Sequence, residues 1–334
     1  MNVAIIGYGY WGPNLVRNFN NVDDCNVIMV SDLRSERLEI VKKNYPAIIT
    51  TTNTEDVFNN NDVGAVVIAT PVFTHYELAK IALTKGKNVL LEKPMTSTSA
   101  EGEELVEIAA KNNKLLMVDH TFLYTGAVRK MQELVMGDGI GKIQYFDSTR
   151  INLGLFQPDI NVIWDLAPHD ISILNFLVDE RPVSITATGT SHTDNGIENI
   201  AYLSLNYDSG LIAHFNCSWT SPVKIRRILI GGDQKMILFD DVEPTEKVKI
   251  YDSGYKVVDS DEDKRQLLVQ YRSGDIYVPE IDRVEALHRM ASDFINSIKN
   301  NSEPTANWQL GLDVVRVLEA SQVSIKDKGR EVKL

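Results

Sequence analysis

An acid and a histidine stand four positions apart in WDLAPHD, Trp164 to Asp170, with Pro168 between them and the apolar run ISILNFLV directly behind. On a helix that spacing puts Asp165 and His169 on one edge, a turn apart. An imidazole ordinarily titrates at ~6.5, so His169 could take and return a proton near neutrality. Asp165 could orient the ring and stabilise its protonated form. The competing reading is helix-start chemistry, because aspartate is a good N-cap and proline is tolerated in a first turn. A second chemical group closes the run NVLLEKPM. There Lys93, between Glu92 and Pro94, could hold a substrate oxygen and stabilise alkoxide charge as it develops. Its plain alternative is a strand-end lysine in solvent.

GYGYWG places Gly7, Gly9 and Gly12 as G-x-G-x-x-G. The pattern alone is weak, but here a strand precedes it, a helix follows, and Asp32 closes the second strand. The first glycine makes a tight turn, the second admits a pyrophosphate to the backbone, and the third lets helix and strand pack closely. The diphosphate would sit on the helix N-terminus, where unpaired N–H groups and the dipole favour an anion. Asp32 would meet the ribose hydroxyls and repel a 2′-phosphate, which favours NAD over NADP; Arg34 softens that preference. Tyr10 and Trp11 would line the cofactor without taking part in chemistry. Thr70, Pro71 and His75, in ATPVFTHYELAKIAL, would flank the same crevice as Glu92 and Lys93.

These groups need elements to hold them. Apolar runs NVAIIG, NVIMVSD, AVVIAT, NVLLEKP and KLLMVDH read as strands. Helices over 11–20, 34–44, 74–85 and 99–112 alternate with them. Strands apolar throughout and separated by helices imply a parallel sheet covered on both faces. After Leu123 the pattern changes. A helix over 124–136, the strand KIQYFDSTRIN and the WDLAPHD helix are followed by strands of period two. In LIAHFNCSWT, Leu211, Ala213, Phe215, Cys217 and Trp219 fall on one face. VSITATGTS, NIAYLSLNY, IRRILIGG and QKMILFD continue the run, and helices over 283–298 and 309–325 close the chain. The fold class is therefore α/β: an N-terminal doubly wound parallel sheet over 1–121, then an α+β domain over 122–334 with a large open, mainly antiparallel sheet. The acidic DSDEDK near residue 260 reads as an exposed loop.

The bulk numbers agree with two domains. The chain has 334 residues, 43% hydrophobic and 24% charged, with net charge −12. That acidity argues against nucleic acid or an anionic membrane surface as the main partner, though not against a small anionic ligand. Cys25 and Cys217 read as free thiols of a reduced compartment. With no targeting segment visible and no apolar run of membrane length, the expected setting is cytoplasmic. No metal site is expected.

Together GYGYWG, Asp32, ATPVFTH, LLEKP and the D-x-x-x-H of WDLAPHD resemble the Gfo/Idh/MocA oxidoreductases, the group of glucose–fructose oxidoreductase and inositol 2-dehydrogenase. The order of the motifs and the two-domain layout extend the resemblance over nearly the whole chain. It implies a Rossmann domain, a bound nicotinamide cofactor, and homodimers or homotetramers built through the second sheet. Residue by residue, it implies that Lys93, Asp165 and His169 form the family's catalytic trio. Many relatives carry a glycine-rich stretch before the aspartate and a glycine where this chain has Ala167-Pro168, so the approach to the site differs. DHTFLYTGAVRK, RINLG and NVIWDLAPHDISIL are similar to a branch of bacterial surface-sugar biosynthesis, in which some members oxidise the 3-hydroxyl of a UDP-N-acetylhexosamine. His120, Tyr124, Arg150 and Asn152 are the candidate substrate contacts. Arg150 and the KIRR run of Lys224, Arg226 and Arg227 are the cations a nucleotide diphosphate would need. A dehydrogenase of a free sugar or inositol, and a non-catalytic NAD(P)-binding regulator, are the alternatives.

Overall fold

Runs such as NVAII and AVVI have no polar face, so both sides of each strand must be covered. The computed structural model describes residues 1–137, 139–154, 156–257 and 269–334, and shows how that is done. The chain divides into two units, Met1–Thr125 with Val284–Arg316, and Gly126–Arg283 with Val317–Leu334.

The first unit alternates β1 (Asn2–Ile6), α1 (Gly12–Asn20), β2 (Asn26–Ser31), α2 (Ser35–Asn44), β3 (Ile49–Thr51), α3 (Thr54–Phe58), β4 (Ala65–Ile68), α4 (His75–Thr84), β5 (Asn88–Glu92), α5 (Ser99–Lys111) and β6 (Leu116–Asp119). The strands pair in parallel in the order β3-β2-β1-β4-β5-β6, the doubly wound order. β4 and β6 are buried along their whole length. The short β3 and α3 have no counterpart in the sequence reading; three strand residues carry too little periodicity to register. α5 opens with a capping box, Thr98 and Glu101 satisfying each other's backbone N–H groups.

The boundary expected at 121/122 needs correction. The first unit runs to Thr125 and regains Val284–Arg316, which hold α8 (Ala286–Asn300) and the first half of α9 (Trp308–Lys326). α8 belongs here because Phe294 packs edge-on against Phe19, ring centroids 6.2 Å apart. Arg17 also grips Glu285 with two bonds of 2.9 and 2.6 Å. Periodicity gives α8 an apolar face but does not say which sheet that face covers.

The second unit holds α6 (Gly126–Met136), β7 (Ile143–Leu153), α7 (Val162–Leu177), β8 (Ser184–Thr190), β9 (Ile200–Asn206), β10 (Ile212–Ser218), β11 (Thr220–Gly232), β12 (Met236–Asp240), β13 (Val248–Val257), β14 (Val269–Tyr277) and β15 (Val332–Lys333). They form one sheet, β14-β13-β12-β11-β7-β10-β9-β8-β15, antiparallel except where β10 runs parallel to β7. The face predicted for LIAHFNCSWT is the buried one, from Leu211 through Ala213, Phe215 and Cys217 to Trp219. Ser218, expected on the other face, is buried too. β13, β14 and β15 lay beyond the sequence reading. The DSDEDK stretch lies outside the described residues. Cys25 and Cys217 are buried free thiols. Among the described residues no helix is long and apolar enough to cross a membrane.

Candidate functional site

In the first unit β1 runs into Gly7 at φ +99, a conformation other residues rarely adopt. A Cβ there would lie 2.4 Å from the Ala69 carbonyl oxygen. One on Gly12 would lie 2.6 Å from the Gly7 carbonyl oxygen, so α1 could not close on the loop. At Gly9 the nearest atom is Arg34 Nη2 at 3.7 Å, which leaves the backbone open to a ligand. The N-cap of α1, Trp11, makes no side-chain capping bond, and the first turn holds a proline and no acid. Its N–H groups are thus kept for an anion. Tyr10 and Trp11 stand exposed beside it, their rings edge-on at 5.3 Å.

Asp32 is buried at the end of β2 and accepts the Tyr8 N–H at 2.7 Å. Arg34 closes on the same carboxylate through its backbone N–H at 2.9 Å, Nε at 3.0 Å and Nη2 at 3.1 Å. Burial works against the charge on Asp32, but the bonds from Arg34 and Tyr8 outweigh it and hold the carboxyl below its ordinary range. Open backbone at Gly9, an uncapped helix start and a fixed carboxylate together fit a dinucleotide.

The exits of β4, β5 and β6 form a second cluster in this unit. Thr70 and Thr74 share a hydroxyl bond of 2.6 Å, and Pro71 accepts the Thr74 N–H at 2.9 Å. His75, expected as a cofactor contact, spends its ring on the backbone instead. Nδ1 lies 3.0 Å from the Pro94 carbonyl oxygen and Nε2 2.8 Å from that of Thr70. Burial lowers its pKa, and the neutral ring donates to one of these at a time. The loop behind β4 is thereby tied to Lys93-Pro94, a cis peptide.

Glu92 and Asp119 are register partners at the ends of β5 and β6. Both are buried, while Lys93 is half-buried. Burial first, and then the neighbouring Asp119, push Glu92 well above the carboxylate range. Burial raises Asp119 to about 6 against the opposing bond from Thr121, whose hydroxyl donates at 2.5 Å. His120, the next residue, is buried with neither ring nitrogen bonded to a described residue. Burial and the charge of Lys93 press it down to about 3, so the ring is neutral. Tyr124, another substrate candidate, is committed elsewhere. Its hydroxyl donates to Asp293 at 2.7 Å and accepts the Ala306 N–H at 3.2 Å, anchoring α8.

In the second unit WDLAPHD does not supply the helix cap. α7 starts earlier, at Val162, with Asn161 as N-cap accepting the Trp164 N–H at 3.2 Å. Asp165 lies in the first turn, and Pro168 lies inside the helix, where it removes a backbone donor. Asp165 and His169 are half-buried on a helix whose Trp164, Ala167, Pro168 and Asp170 are buried. Trp219 Nε1 donates to Asp165 Oδ2 at 2.9 Å, a bond between residues far apart in sequence. His169 offers its backbone carbonyl to the Ser172 hydroxyl at 2.7 Å.

Arg150, expected to meet substrate phosphate, is instead buried against Asp170. Its Nε bonds Oδ2 at 2.9 Å and its Nη2 bonds Oδ1 at 2.6 Å, with Ser148 adding a third bond at 2.7 Å. Both side chains are 3% exposed, so the pair straps α7 to β7. Sequence reasoning missed it because Asp170, beside His169, looked like part of the motif. Arg226 and Arg227 pair with Asp241 and Asp240 across β11 and β12. Asn152 is half-buried near the end of β7.

Residues 1–120 match the family model described as oxidoreductase family, NAD-binding Rossmann fold, and residues 128–238 match that of the GFO/IDH/MocA C-terminal domain. The UDP-N-acetylglucosamine 3-dehydrogenase of Acidithiobacillus ferrooxidans is 28% identical over 71% of this chain and 71% of its own length. The NADP(+)-dependent scyllo-inositol 2-dehydrogenase of Bacillus subtilis is 26% identical over 70% of this chain; the match spans 63% of that relative. The myo-inositol 2-dehydrogenase of Thermotoga maritima is 24% identical over 100% of this chain and 98% of its own. The aldose-aldose oxidoreductase of Caulobacter crescentus has a similar fold, with TM-score 0.84 at 19% identity, covering 100% of this chain and 99% of that one.

Proposed function

This chain belongs to the GFO/IDH/MocA oxidoreductases, and on that footing we propose that it is a dehydrogenase of sugar secondary alcohols, with the 3-hydroxyl of a UDP-N-acetylhexosamine as its substrate. The observation that carries the catalytic part is the placement of Asp165 and His169, half-buried one turn apart on a largely buried stretch of α7. The relative named for UDP-N-acetylglucosamine supports the substrate.

The nicotinamide, when bound, accepts or returns the hydride. The protein's side chains handle position and charge. In the direction of oxidation the C–H electron pair leaves with the hydride and the hydroxyl proton goes to His169, leaving a ketone. Asp165, fixed by Trp219, orients the imidazole and balances its positive charge. Lys93 holds the reacting oxygen. The open first turn of α1 takes the diphosphate, with Tyr10 and Trp11 alongside, and Asp32 takes the ribose hydroxyls. NAD is the cofactor on this reading. The grip of Arg34 on Asp32 leaves a cation beside the ribose, which is why NADP belongs in the test.

His120 and Asn152 remain the substrate contacts on this reading. The relatives named for inositol support a second one, oxidation of a free polyol. Exposed Tyr202, Ile212 and Leu229 on the outward face of the second sheet support a homo-oligomer, and two buried free thiols fit a cytoplasmic setting. The experiment is a panel of UDP-N-acetylglucosamine, glucose, myo-inositol and scyllo-inositol with NAD or NADP, followed at the nicotinamide absorbance. Reduction with the UDP-sugar supports the proposal. Turnover confined to free sugars or inositols selects the second reading, and cofactor binding without any turnover indicates a regulator.

A further inference from the structure

The pairing of β5 with β6 sets two acids side by side next to Lys93. Glu92 and Asp119 are register partners on adjacent parallel strands, so both side chains leave the same face of the sheet about 5 Å apart at the backbone. Neither is solvated: Glu92 is 9% exposed and Asp119 3%. Two ionised carboxylates cannot be kept that close out of water. Asp119 Oδ1 is satisfied by Thr121, whereas Oδ2 is buried and lacks a donor among the described residues when both acids are ionised. A proton on Glu92 supplies that donor. The backbone N–H of Lys93 bonds the Glu92 carboxyl, and the Lys93 charge acts on Glu92, Asp119 and His120 alike.

We propose that Glu92 and Asp119 are positioning residues for Lys93, a carboxyl pair that shares one proton and presents the ammonium with a single net negative charge. With both acids ionised, Lys93 would be drawn down onto the pair and away from a substrate oxygen. With both protonated, it would lose its counter-charge. Glu92, buried and beside the second acid, is the member that holds the proton, and Asp119 carries the charge. The other ionisable groups around the pair are already settled. His120 is neutral, His75 is bonded to backbone carbonyls, and Tyr124 is bonded to Asp293.

The idea rests on Lys93 being the group that meets substrate, but its test needs no substrate. Lysines of the whole protein are reductively methylated with 13C-formaldehyde, which keeps their charge, and the Lys93 resonance is assigned by its loss in Lys93→Arg. In the wild type that resonance should show a secondary inflection near pH 6 as Asp119 titrates. Glu92→Gln, whose amide still donates to Asp119, should keep the inflection and the Lys93 titration. In the double variant Glu92→Gln with Asp119→Asn, checked by circular dichroism and urea unfolding to be folded, Lys93 should lose its proton about tenfold more readily. A Lys93 trace flat between about pH 5 and pH 8 in the wild type overturns the proposal, whether or not any sugar is turned over. So does an unmoved Lys93 titration in a folded double variant. If the double variant does not fold, the wild-type inflection and the Glu92→Gln trace decide.

Discussion

Asp165 and His169 owe their mutual placement to one helix, whereas Glu92 and Asp119 owe theirs to the pairing of two strands that are separated by α5. The first pair is set by 3.6 residues per turn and would keep its spacing on any stable α7. The second exists only if β5 and β6 lie side by side in register. The supports differ accordingly. α7 is held at Asp165 by Trp219, from the link between β10 and β11, and at Asp170 by Arg150, from β7. The strand ends are held by His75, which ties two loops through their backbone carbonyls. Residues spaced by a helix thus need tertiary support for orientation, whereas residues brought together by strands need it for proximity itself.

The contrast can be broken first at α7. His169→Ala should lower turnover by about 10²–10⁴-fold, the range for a lost general base, with NADH affinity unchanged by titration. Wild-type turnover in that variant would remove the helix pair from the chemistry. Asp170→Leu leaves Arg150 buried without its counter-charge and should destabilise the chain by about 3–5 kcal/mol in urea unfolding. Adding Arg150→Met should recover much of that loss, because a well-packed apolar pair does not carry a stranded charge.

A finer test of orientation is Trp219→Phe, which deletes the indole donor to Asp165 while keeping an aromatic ring. A lost bond to a charged acceptor is worth about 1.5–3 kcal/mol. It should appear as a drop of roughly tenfold or more in kcat/KM with NADH affinity intact. In the first unit, Arg34→Ala should shift the ratio of NAD to NADP affinities about tenfold toward NAD, through loss of the cation beside the ribose; an unchanged ratio would dismiss Arg34 as a selector. The smallest effect concerns pH. Asp119 is raised when folded, to about 6, so the native chain holds more protons than the unfolded one between the ordinary carboxylate range and that value. The contribution of Asp119 to stability should therefore fall as pH rises through this window, and that of Glu92, raised further, goes on falling above it. Asp119→Asn should make that stretch of the urea midpoint curve less steep.

Much of this was legible in the residues. The glycine loop announces itself because a turn at positive φ and a close helix start tolerate no side chain. The buried face of LIAHFNCSWT follows from a period of two. The start of α7 was misplaced because Asp165 and Pro168 mimic helix-start residues, while the actual cap, Asn161, stood outside the quoted motif. Arg150 looked like an open cation because nothing local shows that β7 lies against α7. The boundary at 121/122 missed the return of Val284–Arg316 for the same reason, since contacts such as Phe19 with Phe294 join distant parts of the chain.

The sequence by itself determined the kinds of element, their buried faces, the cradle for a dinucleotide and the one-turn spacing of Asp165 and His169, because each depends on neighbours within a few residues. Tertiary structure alone decided that Glu92 meets Asp119, that Trp219 holds Asp165, and that Arg150 is consumed by Asp170. Those pairings depend on which strands and helices adjoin, and burial then makes an unpaired charge too costly to leave.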